Sequence, residues 1–302
     1  MPKYVALISG GTGFVGSRIV EHLLADGAEV RILSSGTADR AHLRSTSDRV
    51  HWWSVSNADL DIAVRDANCF FHFAVAYDRP NVSDEVLQAV NVDLPQRVIS
   101  RLRGQGRLAT CVLGDTFFRK FPAEATRQPR YTRSKTQLAE RLLSDKSRFD
   151  PDVRVALLQI EQVYGPGDSF TKVLPLLTRQ MLDNVPRLAL THGQQRRDFV
   201  HVEDVATAAM TLRSAEWQGV QRVECGTGVS TPVGEVLNRL RVLTGSRSVL
   251  GFGDMPPDQA IDDSYADLAW LSSCGWRPRV PLQEGLAELV QDVEVRTSAP
   301  DA

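Results

Sequence analysis

Tyr4-Val5-Ala6-Leu7-Ile8-Ser9-Gly10-Gly11-Thr12-Gly13-Phe14-Val15-Gly16 is a compact apolar run that ends in a glycine turn, after which Ile19, Val20, Leu23 and Leu24 recur at helical spacing. The order is strand, turn, helix. In that setting Gly11-x-Gly13-x-x-Gly16 is a dinucleotide fingerprint. Glycine lets backbone N–H groups approach a pyrophosphate with no Cβ in the way, and the N-terminal end of the helix faces the negative charge. Gly10, Gly11, Gly13, Phe14, Val15 and Gly16 are therefore the expected pyrophosphate contacts.

Working outward, Gly27 punctuates the helix, residues 30–33 and 69–75 read as further strands, residues 86–102 and 133–143 as amphipathic helices, and residues 153–160 as a later buried strand. Strands alternating with helices predict an α/β fold: a Rossmann-type, doubly wound parallel sheet covered on both faces. It is placed at residues 1–162, with a return segment at 195–222 because residues 199–212 read as strand and helix. From Val163 the pattern loosens, with turn clusters at Gly165-Pro166-Gly167 and Met255-Pro256-Pro257. Residues 163–194 and 223–302 are assigned to a smaller C-terminal α/β lobe.

The composition narrows the function classes. The 302 residues are 42% hydrophobic and 24% charged, with a net charge of -2, which suits a globular protein and gives no signal for binding nucleic acid. Cys69, Cys111, Cys225 and Cys274 form no Cys-x-x-Cys pair, so no metal site and no disulfide framework is expected. They read as buried thiols in a reducing compartment. No stretch approaches the ~18 to 20 apolar residues of a membrane span, so no membrane partner is expected and a cytoplasmic location follows by default.

An NAD enzyme would carry an acid about 20 residues beyond the fingerprint to bind the adenosine ribose. Here the second strand ends in Leu33-Ser34-Ser35-Gly36. Ser34 and Ser35 can donate hydrogen bonds to a 2′-phosphate, and Arg40 can add charge if the loop folds back. NADP(H) is favoured over NAD on this ground.

Tyr131-Thr132-Arg133-Ser134-Lys135 sets a phenol and an ammonium on one helix face. A cation favours phenolate, and a drop of ~2 to 3 pH units in the tyrosine pKa is worth ~3 to 4 kcal/mol. Such a tyrosine exchanges a proton with a sugar oxygen near neutral pH. Thr110-Cys111-Val112-Leu113 reads as a strand running to Gly114-Asp115-Thr116. Ligands of open α/β sheets sit beyond the carboxyl ends of the strands, which makes Thr116 a candidate second hydroxyl.

With these motifs the chain resembles the extended short-chain dehydrogenase/reductase family, in its nucleotide-sugar epimerase, dehydratase and ketoreductase branch. Phe70-Phe71-His72-Phe73-Ala74-Val75-Ala76 is similar to the family's cofactor-lining strand, and Asn91-Val92 to its following helix motif. Val163-Tyr164-Gly165-Pro166-Gly167, Arg197-Asp198-Phe199-Val200-His201-Val202-Glu203-Asp204-Val205 and Gly275-Trp276-Arg277-Pro278 resemble its later signatures. The resemblance implies that Tyr131 is the proton donor or acceptor and that Lys135 binds the nicotinamide ribose and lowers the tyrosine pKa. It implies further that Thr116 hydrogen-bonds the reacting oxygen, that Ala74, Ala76 and Asn91 line the cofactor, and that Arg197 contacts the diphosphate of a nucleotide-sugar substrate bound by the C-terminal lobe. A homodimer is the expected assembly.

The chain departs from the family at several points. Gly114-Asp115 replaces two small hydroxyl residues before Thr116, and Gln159 and Gln162 replace Arg and Asn before the Tyr164-Gly165-Pro166 turn. Gln162 is kept as a substrate contact. Phe117-Phe118 stands in place of a dehydratase's acid pair, and elimination of water needs a general acid and base there. Three functions are then weighed: reduction of a 4-keto group on a nucleotide-linked deoxysugar, 4-epimerisation of a nucleotide sugar, and a non-catalytic dinucleotide sensor. The missing acid after the second strand favours the first.

Overall fold

The computed structural model describes residues 2–36, 41–43, 46–103, 105–145, 151–256 and 261–298. Among them the strands are, in chain order, β1 (Val5–Ser9), β2 (Glu29–Ser34), β3 (His51–Ser54), β4 (Ala67–His72), β5 (Ala109–Thr116), β6 (Val153–Ile160), β7 (Gln162–Tyr164), β8 (Arg187–Leu190), β9 (Arg196–His201), β10 (Val220–Cys225), β11 (Ser230–Pro232) and β12 (Val249–Phe252). The chain divides into two compact units.

The first unit holds Met1–Ile160, Ala206–Glu224 and Ala269–Trp276. Its seven-stranded sheet has the order β10-β6-β5-β4-β1-β2-β3, and every pairing from β3 across to β6 is parallel. The strand order reverses direction between β1 and β4, which is the switch point where open α/β sheets take their ligands. Central strands buried on both faces need continuous apolar runs, as in Val5–Ser9, where all five residues are buried. The Leu7, Phe70, Cys111, Leu113, Val155 and Leu157 side chains join Val98, Ile99 and Leu102 of helix Leu94–Leu102 and Leu138, Ala139 and Leu142 of helix Pro129–Ser144 in one core cluster. The doubly wound α/β fold is thus the one expected.

The second unit holds Glu161–Val205, Cys225–Leu268 and Arg277–Ala302. A three-stranded sheet, β11-β9-β7, and a two-stranded sheet, β12-β8, accompany helices Val173–Leu182, Val233–Leu243 and Leu282–Ser298. Leu174, Leu177, Met181, Val236, Leu240, Leu286 and Leu289 from those helices share a core with Tyr164 and Phe199. The division departs from the expected boundaries at the return segment, which starts at Ala206 rather than 195. The cause is β9, whose hydrogen-bond partners are β7 and β11. Residues 269–276 belong with the first unit as well. There the Trp276 indole N–H donates to Thr207 Oγ1 at 3.1 Å. Cys69, Cys111 and Cys225 are buried thiols, whereas Cys274 is only half-buried. No helix among the described residues is long and apolar enough to cross a membrane.

Candidate active site

The glycine turn separates into two jobs. A Cβ on Gly10, whose φ is +74°, would lie 2.2 Å from the Ala74 backbone nitrogen, and one on Gly16 would lie 2.0 Å from the Gly10 carbonyl oxygen. Gly11 is also packed, 3.1 Å from Ile8 Cγ2. These three let β1, helix Phe14–Ala25 and the Phe73-Ala74 backbone close on one another. Gly13 is exposed and would meet only the Gly10 oxygen, at 3.3 Å. It is the N-cap of helix Phe14–Ala25, which has no side-chain cap and no acidic residue in its first turn. The N–H groups at Phe14, Val15 and Gly16 therefore form an anion cradle at the switch point, and the residues present fit a dinucleotide pyrophosphate.

At the end of β2 the Ser34 hydroxyl oxygen accepts the Gly36 N–H at 3.1 Å, which leaves its own proton to donate outward. Ser35 is exposed. Arg40 lies outside the described residues.

Beyond β4 the chain is held by a buried bracket. Ala76 N–H donates to Asn91 Oδ1 at 2.9 Å, and Asn91 Nδ2 donates to the Ala76 carbonyl at 2.9 Å and to Ser134 Oγ at 3.0 Å. Asn91, expected to touch the cofactor, is fully buried, with its amide committed to the 73–77 segment and to helix Pro129–Ser144. It stands behind that segment as a brace. The helical backbone widens to a π turn over Ala89–Asp93, just where Pro95 has no N–H to give the Asn91 carbonyl.

Thr116, Tyr131 and Lys135 come together in the first unit, all buried. Tyr131 and Lys135 lie on the buried face of helix Pro129–Ser144, and the Lys135 ammonium sits 5.9 Å from the centre of the Tyr131 ring. Lys135 Nζ donates to the Gly114 carbonyl at 2.7 Å. Thr116 Oγ1 accepts the Phe118 N–H at 3.3 Å, and the Thr116 hydroxyl is hydrogen-bonded to Tyr131. The electrostatics correct one expectation. Burial is the largest influence on the Tyr131 phenol and raises its pKa well above 10, reinforced by Tyr77 and Asp115, with Thr116 pulling the other way. Lys135, whose own pKa is pushed down to about 8 by burial, does not offset that rise. Desolvation disfavours the phenolate before any neighbour favours it.

Several neighbours have roles that the sequence alone does not assign. Tyr77 packs its ring 5.3 Å from that of Tyr131. Ser9 Oγ and His72 Nδ1 form a buried 2.7 Å hydrogen bond beneath the glycine turn, and burial drives the His72 pKa well down, aided by Lys135. Asp115 and Arg119 form a buried ion pair one residue from Thr116.

The substrate candidates Gln162 and Arg197 lie in the second unit on paired strands. Gln162 of β7 is opposite Phe199 of β9, so Arg197, two residues earlier, is on the same sheet face. Arg197 is 3% exposed and donates to the Arg196 carbonyl at 2.6 Å and the Ile261 carbonyl at 3.0 Å. Asp198 gathers the N–H groups of Thr227, Gly228 and Ala266. It thereby ties β9 to segment 226–228, where Gly226 leaves no room for a Cβ, which would fall 2.3 Å from Asp198 Oδ2.

The chain is similar to known proteins over nearly its full length. CDP-abequose synthase of Salmonella muenchen is 24% identical over 287 residues, covering 94% of this chain and 96% of that protein. UDP-glucose 4-epimerase of Mycolicibacterium smegmatis is 27% identical over 309 residues, covering 94% and 97%. The solved structure of UDP-glucose 4-epimerase from Thermotoga maritima with UDP-glucose has the same fold, with a TM-score of 0.81 at 20% identity over 97% of this chain and 100% of that one. The model of a family described as NAD dependent epimerase/dehydratase matches residues 6–225, which take in the glycine turn, Thr116, Tyr131, Lys135 and Arg197, and the chain belongs to that family.

Proposed function

We propose that the protein reduces the 4-keto group of a nucleotide-linked deoxysugar with NADPH, Tyr131 supplying the proton. The observations that carry this reading are Ser34 and Ser35 at the end of β2, where an NAD enzyme carries an acid, and the similarity to CDP-abequose synthases over nearly the whole chain.

The N–H groups of Phe14, Val15 and Gly16 would hold the pyrophosphate above the open Gly13, with Gly10 and Gly11 closing the turn beneath it. Ala74 would line the adjoining face, and Ser34 and Ser35 the adenosine end. When bound, the nicotinamide supplies the hydride that goes to the carbonyl carbon. Tyr131 gives its proton to the carbonyl oxygen as that oxygen gains negative charge. The Thr116 hydroxyl, its oxygen already accepting the Phe118 N–H, donates to the same oxygen and orients it. The Lys135 ammonium, fixed by Gly114, stabilises the tyrosinate left behind. A sensor would need none of these three groups in one place.

Arg197 receives the diphosphate in this reading, because a planar guanidinium matches phosphate oxygens with two donors. Arg197→Ala is expected to raise KM for the sugar nucleotide by ~10-fold or more, the loss of a charge-assisted hydrogen bond, with little change in kcat. An unchanged KM in steady-state kinetics removes Arg197 from the substrate site.

The serines at the end of β2 support NADPH. In fluorescence titrations NADPH is expected to bind at least ~10-fold more tightly than NADH, about 1.4 kcal/mol. Equal or reversed affinities contradict that choice. A 4-epimerase is the second reading, favoured by UDP-glucose 4-epimerases among the relatives matched over nearly their full length. Mass spectrometry of the cofactor retained by the purified protein tests one against the other. A reductase exchanges its cofactor and comes free of it or with NADP, whereas tightly held NAD in every molecule supports the epimerase.

A further inference from the structure

Asp115 and Arg119 are the least expected charges in the molecule. Their side chains are 4% and 6% exposed and bridge to each other across the end of β5 and the turn Phe117–Lys120. Burying two charges costs several kcal/mol per ion unless each is well paired, so the pair is weak evidence of stabilisation and calls for another account. Asp115 Oδ1 and Arg119 Nε have no hydrogen-bond partner among the described residues. The geometry around them is closely tied to the proton-transfer group. Gly114, the residue before, holds Lys135 Nζ through its carbonyl, and Thr116, the residue after, hydrogen-bonds Tyr131. The bridge also closes the turn whose Phe118 N–H occupies the Thr116 oxygen and so directs the Thr116 proton away from it. A side chain on Gly114 would press on Phe73, 3.1 Å away, so the hydroxyl residues common at 114 and 115 in the resembled family are replaced here by a fitted glycine and a charge.

We propose that the Asp115–Arg119 pair is a positioning element of the active site, fixing the turn that orients the Thr116 hydroxyl and keeping a compensated negative charge beside the Lys135 ammonium. The groups that face Lys135 are Asp115 and Arg119 from the end of β5 and its turn, His72 from β4 and Tyr131 from its own helix. His72 is neutral over the working range because burial keeps its pKa well below 6.5. Of the two members of the pair, Asp115 raises the Lys135 pKa and Arg119 lowers it, Asp115 having the larger effect. Asp115 therefore keeps Lys135 cationic through neutral pH, and Arg119 moderates that field while neutralising the buried carboxylate. The proposal deepens the assignment of Tyr131, Thr116 and Lys135 as the proton-transfer group and rests on it.

The test titrates Lys135 directly in the unliganded protein, by NMR of lysine labelled at Cε and Nζ. The chain has five lysines, and the resonance is assigned by its loss in Lys135→Met. The wild-type midpoint is expected near 8. In Asp115→Asn the midpoint moves to lower pH, because the uncompensated Arg119 cation then faces Lys135 alone, and kcat falls on the alkaline side with it. Arg119→Lys, which keeps the pair, leaves the midpoint in place. Asp115→Asn combined with Arg119→Met removes both charges and is tolerated where a lone buried cation is not. It lowers the midpoint by less than Asp115→Asn alone. If Asp115→Asn does not fold, the double variant decides, since it must still titrate below wild type. A folded variant of either kind with Lys135 titrating at the wild-type pH overturns the proposal. Because Lys135 titrates whatever the sugar, the outcome is separate from that of the substrate assignment.

Discussion

Tyr131→Phe is expected to cut kcat by ~10²-fold or more while leaving the affinity for the dinucleotide nearly unchanged. The substitution removes one oxygen from a buried side chain and keeps the ring packed against Tyr77. Thr116 retains the Phe118 N–H, and Lys135 retains the Gly114 carbonyl, so the surroundings hold their places. What is lost is the one proton positioned to follow the charge that develops on the carbonyl oxygen. Single-turnover reduction, with cofactor affinity measured alongside by fluorescence, checks both halves. A variant that turns over at the wild-type rate excludes Tyr131 as donor.

Gly16→Ala is expected to have the other large effect, on binding rather than chemistry. Its Cβ would fall 2.0 Å from the Gly10 carbonyl oxygen, a backbone atom inside a turn that is itself pressed on Phe73 and Ala74. Neither partner is a flexible side-chain tip, so the turn must open. Overpacking of this kind costs ~1 to 3 kcal/mol of stability, and a displacement of about 1 Å at a site built from fixed N–H groups costs ~10²-fold in function. Gly13→Ala is the control. Its Cβ meets only one atom, at 3.3 Å, so the melting temperature should hold while dinucleotide affinity falls, the methyl group now standing where the pyrophosphate approaches. Equal loss of melting temperature in the two variants contradicts the division of labour among the glycines.

The parts of this site that were legible in the sequence are those where a residue type dictates backbone geometry. Three glycines between an apolar strand and an amphipathic helix leave one arrangement open, and Tyr131 and Lys135 share a helix face by spacing alone. The parts that were not legible depend on what is packed around a residue. Strand β3, His51–Ser54, carries two half-buried tryptophans between exposed residues and shows no clean alternation. The short strands of the second unit, three to six residues long, give little periodicity to read. The motif at Asn91 says nothing of which way its amide turns, and the amide turns to Ala76 and Ser134. The acidity of Tyr131 is hidden for a related reason. Spacing reveals the cation nearby but not the burial that opposes it, and burial wins.

Hydride stoichiometry tests the reductase assignment most directly. An epimerase returns the hydride that it removes and consumes no cofactor, whereas a reductase releases one oxidised cofactor per turnover. Supplied with a nucleotide-linked 4-keto-6-deoxyhexose and NADPH, the protein is expected to oxidise one NADPH for each alcohol formed, followed as loss of reduced-nicotinamide absorbance against product measured by mass spectrometry. No net oxidation with that substrate, together with interconversion of a UDP-hexose and its C4 epimer by enzyme-bound NAD alone, would contradict it.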